Sequence, residues 1–211
     1  MALIMILASL LLPALAKVKA KSGQMTCSGN MRQIALAVIS YSGDYHDFAP
    51  YGLCATNYLY NYDHDGGIRA YLNVPFEYDE GQSKFMIAPP VSLCPQGRRD
   101  GTFNPSTSPP SPNFSYSLNS SSLSAAVSEK IAGVRNPSSR LMLGEIGPDG
   151  WYGSYTGSHA RTLFQRGYFS FRHFKKGNIV FVDGHLSAVG PDAVPLEHSV
   201  ANDPADFYRT H

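Results

Sequence analysis

Hydrophobic positions fall into three patterns along this chain. The first sixteen residues, MALIMILASLLLPALA, carry no charge, and Leu3, Ile4, Ile6, Leu7, Leu10, Leu11, Leu12 and Leu15 would face every side of a helix. Beyond Lys17 the apolar positions thin to one stripe: Cys27, Met31, Ile34, Val38 and Tyr41 recur at spacings of four, three, four and three. This predicts one long helix over residues 2–42, bent at Pro13 and weakened by Gly23 and Gly29. The third pattern is a pair of short runs, NIVFV and HLSAV, separated by Asp183 and Gly184. Two residues of this kind between strands predict a hairpin with a type I′ turn, pairing Val182 with His185, Phe181 with Leu186, Val180 with Ser187 and Ile179 with Ala188. Ile179, Phe181, Leu186 and Ala188 would then form the face packed on the helix stripe.

Between these ends the pattern predicts a short helix near residues 68–72, strands at 114–118 and 140–146, and a short helix at 124–131. Residues 105–113 form a Pro/Ser loop. Tyr58, Tyr60, Tyr62 and Tyr71 are expected to pack on the surface. The fold class is α+β: a long N-terminal helix packed on a small antiparallel sheet. Three segments follow, with residues 1–16 a membrane-embedded helix, 17–43 its amphipathic continuation and 44–211 a globular head.

Length tempers the membrane reading of the first segment. Sixteen helical residues reach about 24 Å, short of the ~30 Å hydrocarbon core. A span whose beginning lies upstream, a signal peptide ending at Ala14 and Ala16, and a buried helix all fit this run.

At 211 residues the chain holds one domain with a proper core, and 43% hydrophobic against 16% charged residues is a globular balance. The net charge of +1 gives no long-range field to gather nucleic acid, so no nucleic-acid partner is expected. Cys27, Cys54 and Cys94 include no C-x-x-C pair, and either one disulfide with a spare thiol or none is compatible with them.

Candidate chemistry gathers near the hairpin. His173, Asp183 and His185 are the candidate divalent-metal ligands, imidazole and carboxylate being transition-metal donors, with a calcium site at Asp183 as a variant. The competing reading makes Asp183 and Gly184 turn residues and leaves the histidines hydrogen-bonded or exposed. His46 in DYHD, His64 in YDHDGG, and the acids Glu145 and Asp149 in GEIGPDG are weaker candidates. There is no G-x-S-x-G, P-loop or dinucleotide fingerprint, so no enzyme and no cofactor is expected beyond that metal.

Two segments carry a family resemblance. ILASLLLPALAKVKAKSGQMTCSGNMRQIALAVISYSGDYHDFAP resembles the start of bacterial type IV pilin-like proteins of the pseudopilin kind, which have a prepilin-type N-terminal segment. RHFKKGNIVFVDGHLSAV is similar to the C-terminal signature of a pseudopilin-like subgroup: His173, nine residues, then Asp183 and Gly184. NFSYSLN and KIAGVRNPSSRLMLGEIG resemble that subgroup's middle blocks. The family pattern opens with a basic leader, a glycine and a glutamate-bearing start. None of these is found here, so the expectation is that the helix begins upstream of Met1.

The resemblance implies a pilin-like fold and a non-catalytic subunit of a type II secretion or type IV pilus-like assembly. Its partners would be the inner membrane and other pilin-like subunits, met through the helix residues Leu3 to Leu15, Pro13 included. The head would be extracytoplasmic, although Lys17, Lys19 and Lys21 after the apolar run argue for the opposite orientation. Cys27 and Cys94, both in motif-like blocks, are the implied disulfide, with Cys54 the competing partner. The alternative class is a secreted or anchored extracytoplasmic module binding metal or glycan, its ligand face around Tyr58 to Tyr71.

Overall fold

The computed structural model describes residues 2–50, 68–73, 78–79, 84–85, 90–97, 115–118, 130–145 and 169–194. Expectations for Cys54, Tyr58, Tyr60, Tyr62, His64, Asp149, the 105–113 loop and most of the 124–131 helix lie outside these residues, as does the side chain of Leu3.

Helix α1, Ala2–Asp44, runs uninterrupted for 43 residues, about 65 Å. Pro13 lies inside it without ending it. The two halves differ in what their side chains meet. In the upper half Ile4, Met5, Ile6, Leu7, Leu10, Leu11, Leu12 and Leu15 are all more than half exposed. Among the described residues no helix is long and apolar enough to cross a membrane. In the lower half the predicted stripe is the core itself, with Cys27, Met31, Ile34 and Val38 at 0% exposure and Tyr41 at 6%.

The lower end is held by specific contacts. After Asp44 the backbone of His46 and Asp47 turns left-handed, at φ 55° and 70°, and Asp47 N–H donates to the Ser42 carbonyl at 2.7 Å. This places free carbonyls of the last turn in hydrogen bonds. The Asp47 carboxylate then accepts from Ala132 N–H at 2.8 Å, so the second acid of DYHD serves as a backbone anchor. Helix α2, Arg69–Leu72, docks beside this end through Tyr71. Its hydroxyl donates to Asp44 at 2.8 Å and its ring meets Tyr41 edge-on.

Strands β1, Tyr78–Asp79, and β2, Lys84–Phe85, form a small ribbon. Strands β3, Tyr116–Leu118, β4, Leu141–Glu145, β5, Gly177–Phe181, and β6, Leu186–Val189, form one antiparallel sheet in chain order. Helix α1 covers one face, where Tyr116, Met142, Leu143, Val180 and Val182 join the helix stripe. On the opposite face Leu141, Ile179 and Phe181 pack with Phe169 and Val194. Both central strands are therefore buried throughout. A register shift between Leu141 and Leu143 is a bulge, and it lets Met142 and Leu143 both join the helix side.

The β5–β6 hairpin forms, but one residue out of the expected register. Val180 pairs with Leu186, Ile179 with Ser187 and Asn178 with Ala188. Phe181 N–H donates to the His185 carbonyl at 2.9 Å and Gly184 N–H to the Phe181 carbonyl at 2.8 Å, which leaves Val182, Asp183 and Gly184 as a three-residue loop. Only Gly184 is left-handed, at φ 86°, as in a type I turn closed by a glycine bulge rather than a type I′ turn. The slip reverses the faces of β5 but not of β6: Val180 and Val182 pack toward α1 and Ile179 and Phe181 away from it, while Leu186 stays on the expected helix side.

Candidate functional site

The densest chemistry lies where the N-terminal end of β5 meets α1. The backbone prepares it in two steps. His173 and Lys176 exchange backbone hydrogen bonds of 3.0 and 2.9 Å, closing a tight turn whose central residues, Phe174 and Lys175, are left-handed at φ 53° and 61°. Positive φ at both central positions is the type I′ requirement, and for a phenylalanine it is an uncommon, costly conformation. Next comes Gly177, where a Cβ would stand 2.5 Å from the Ser170 carbonyl oxygen. Glycine is the only residue that fits this approach of two backbones.

That geometry drives the His173 ring into the core beside Glu145, the last residue of β4. His173 Nε2 lies 2.9 Å from Glu145 Oε1, and both side chains are 0% exposed. Asn178 holds the carboxylate from the other side, its backbone N–H donating to Oε2 and its side-chain amide to Oε1, each at 3.1 Å. A buried carboxylate needs such partners. Since Nε2 faces an acceptor, the ring proton is assigned there, and Nδ1 has no partner among the described residues. Tyr116, paired with Glu145 across β3 and β4, has its phenol pushed well above the usual range by burial and then by the charge of Glu145.

Two sulfurs complete the cluster. Cys27 on α1 and Cys94 are joined by a disulfide, with their Cα atoms 5.3 Å apart. Cys94 Sγ lies 3.6 Å from His173 Nε2. Cys94 is positioned by its backbone N–H, which donates to Ser115 Oγ at 2.8 Å, and by neighbours that grip the helix. Asn30 donates to the Leu93 carbonyl and Gln96 to the Ala20 carbonyl, each at 3.1 Å. Closing a loop of 67 residues contributes about 4 kcal/mol in the chain-entropy account. One donor atom from each of Cys27, Cys94, Glu145 and His173 lies within 4.8 Å of all the others, and all four residues are buried.

The predicted metal ligands are distributed differently. Asp183 and His185 meet at the hairpin tip, with His185 Nδ1 2.6 Å from Asp183 Oδ1, and the same oxygen accepts His185 N–H at 3.0 Å. The His185 ring stacks on Phe181 at 4.2 Å. His173 stands at the other end of the five-residue strand β5, about 17 Å away along an extended chain. The structure brings His173 instead to Glu145, Cys27 and Cys94, a set that no local spacing announces. Only the Asp-Gly of the signature is a turn feature, and its histidine is a core feature. No family model matches this chain, and it has no significant match among curated proteins or solved structures.

Proposed function

We propose that this chain is a non-catalytic, pilin-like subunit of the pseudopilin kind, held in the bacterial inner membrane by the upper half of α1 with its head on the extracytoplasmic side. It assembles with other such subunits in a type II secretion or type IV pilus-like apparatus. One observation supports this reading: a single helix is the spine of the head at one end and apolar around its whole circumference at the other. Ile4, Met5, Ile6 and Leu7, four successive residues that together face every side of the helix, are 54–74% exposed, and a helix apolar on every side is stable only when lipid or neighbouring helices cover it.

The test is fractionation of cells expressing the full chain, with Leu11→Cys as a crosslinking probe. Wild type is expected in the membrane fraction and Leu11→Cys in disulfide-linked dimers, whereas the double variant Leu11→Asp, Leu12→Asp moves to the soluble fraction. A soluble, monomeric wild type would defeat the proposal. The other reading, a secreted or anchored metal- or glycan-binding module, has one supporting observation, the buried sulfur, imidazole and carboxylate cluster.

A further inference from the structure

A disulfide in an apolar core needs neither a histidine nor a carboxylate beside it. Here both stand against the sulfurs, and both have given up water to do so. Two sulfurs, an imidazole nitrogen and a carboxylate oxygen are four donors of the kind that enclose zinc tetrahedrally. We propose that Cys27, Cys94, His173 and Glu145 form a closed zinc site when the disulfide is open, so that the sulfur bond and the metal are alternative occupants of one place.

The distances favour this chemistry. Zinc to sulfur near 2.3 Å and zinc to nitrogen or oxygen near 2.0–2.2 Å make the edges of the tetrahedron about 3.3–3.8 Å. The Cys94 Sγ to His173 Nε2 separation of 3.6 Å is already such an edge. The 2.9 Å between His173 Nε2 and Glu145 Oε1 needs to widen by about half an ångström. The sulfurs must part to about 3.8 Å, within the motion of two χ1 angles. Asn178, donating to both oxygens of Glu145, is the outer partner that orients a carboxylate ligand. With zinc on Nε2 the ring proton moves to Nδ1, which has no acceptor among the described residues, and this restrains the affinity. Thiolates select zinc over calcium or magnesium at such a site.

The exchange balances as follows. A dithiol delivers two electrons and two protons to the Cys27–Cys94 bond and itself closes to a disulfide, or a phosphine delivers the two electrons and becomes the phosphine oxide by taking the oxygen of a water that supplies the two protons; either way two thiols result. Zinc then displaces both thiol protons and takes the Nε2 lone pair and one Glu145 oxygen. In the reverse direction a disulfide oxidant removes two electrons from the thiolates, the sulfur bond re-forms and the ion leaves.

The test uses the full chain in mild detergent, reduced with a phosphine and titrated with cobalt(II) as the probe and zinc as competitor. The expected result is one cobalt per chain, with sulfur-to-cobalt charge-transfer absorption and tetrahedral visible bands, abolished by zinc and absent from the oxidised protein. His173→Ala and Glu145→Gln are each expected to weaken zinc binding on the order of a hundredfold, while Asp183→Asn and His185→Gln leave it unchanged. Circular dichroism on each variant separates lost ligation from lost fold, and His173→Cys, which offers a third thiolate, is expected to restore tetrahedral cobalt. Absence of the sulfur-to-cobalt band in the reduced chain overturns the proposal. So does equal affinity in His173→Ala and Glu145→Gln, which would mean binding by the thiols alone. So does unfolding on reduction with zinc present, since bound metal should hold the fold.

Discussion

A histidine–carboxylate pair stands beyond each end of strand β5, and the two behave as different objects. At its start His173 and Glu145 are 2.9 Å apart with no exposed side-chain surface. At its end His185 and Asp183 are 2.6 Å apart with 45% and 34% exposed. The distances would rank the exposed pair first. Environment reverses the ranking, because water competes for exposed partners and screens them, whereas a buried group deprived of its partner keeps its full desolvation penalty. The turns differ in parallel: Asp183-Gly184 suits its backbone, while Phe174-Lys175 adopts left-handed geometry that neither residue favours.

The largest expected effect comes from breaking the buried pair. Glu145→Ala leaves His173 Nε2 and both Asn178 donors buried without their acceptor, and at about 1–3 kcal/mol for each such group should cost at least about 3 kcal/mol, read as a lower midpoint in urea unfolding of the disulfide-bonded protein. A loss below about 1 kcal/mol would put the two pairs on the same footing. Gly177→Ala attacks the same end through the backbone. Its methyl must push the Ser170 carbonyl away, an overpacking cost of about 1–3 kcal/mol that should also loosen His173, seen as faster hydrogen exchange at Lys176. At the other end Gly184→Ala meets mainly the left-handed penalty, about 1–2 kcal/mol, since among the described residues the added methyl meets only Ile39 Cδ1, in van der Waals contact. His185→Ala should cost least, about 0.2–1 kcal/mol, less still in high salt. Any larger loss would be traced to the Phe181 ring it covers, by repeating the measurement with His185→Phe. Replacing Phe174 and Lys175 by Asn and Gly should instead stabilise the chain by about 1 kcal/mol, as a higher melting temperature.

The hairpin register shows why one part of the fold was legible and another was not. In α1 the stripe from Cys27 to Tyr41 is legible because Ser28, Asn30, Arg32, Gln33 and Ser40 interrupt the apolar positions between its members, so helical periodicity can be counted. Strand β5 is buried on both sides, and the run Ile179, Val180, Phe181, continued by Val182 in the loop, has no polar alternation to say which face meets the helix. A one-residue slip therefore costs nothing in pattern, and the choice fell to packing: the Val182 N–H bond to Arg140 and the Asp183 N–H bond to Pro137 pull the loop out to three residues. The same limit hid the four-residue cluster. Glu145 reads as a loop acid next to Asp149 until β4 and β5 pair, and 67 residues separate Cys27 from Cys94.

The order of residues by itself determined the long helix, its apolar top and striped bottom, the presence of two strands, read at 114–118 and 140–146 and found at Tyr116–Leu118 and Leu141–Glu145, and the presence of a hairpin at Asp183-Gly184. Each of those follows from local periodicity or from the torsional limits of one or two residues. Which face of β5 meets α1, and which carboxylate His173 finds, were decided only by tertiary structure. Both depend on contacts between segments distant in the chain, and a run of apolar residues or a lone acid carries no record of the partner that will desolvate it.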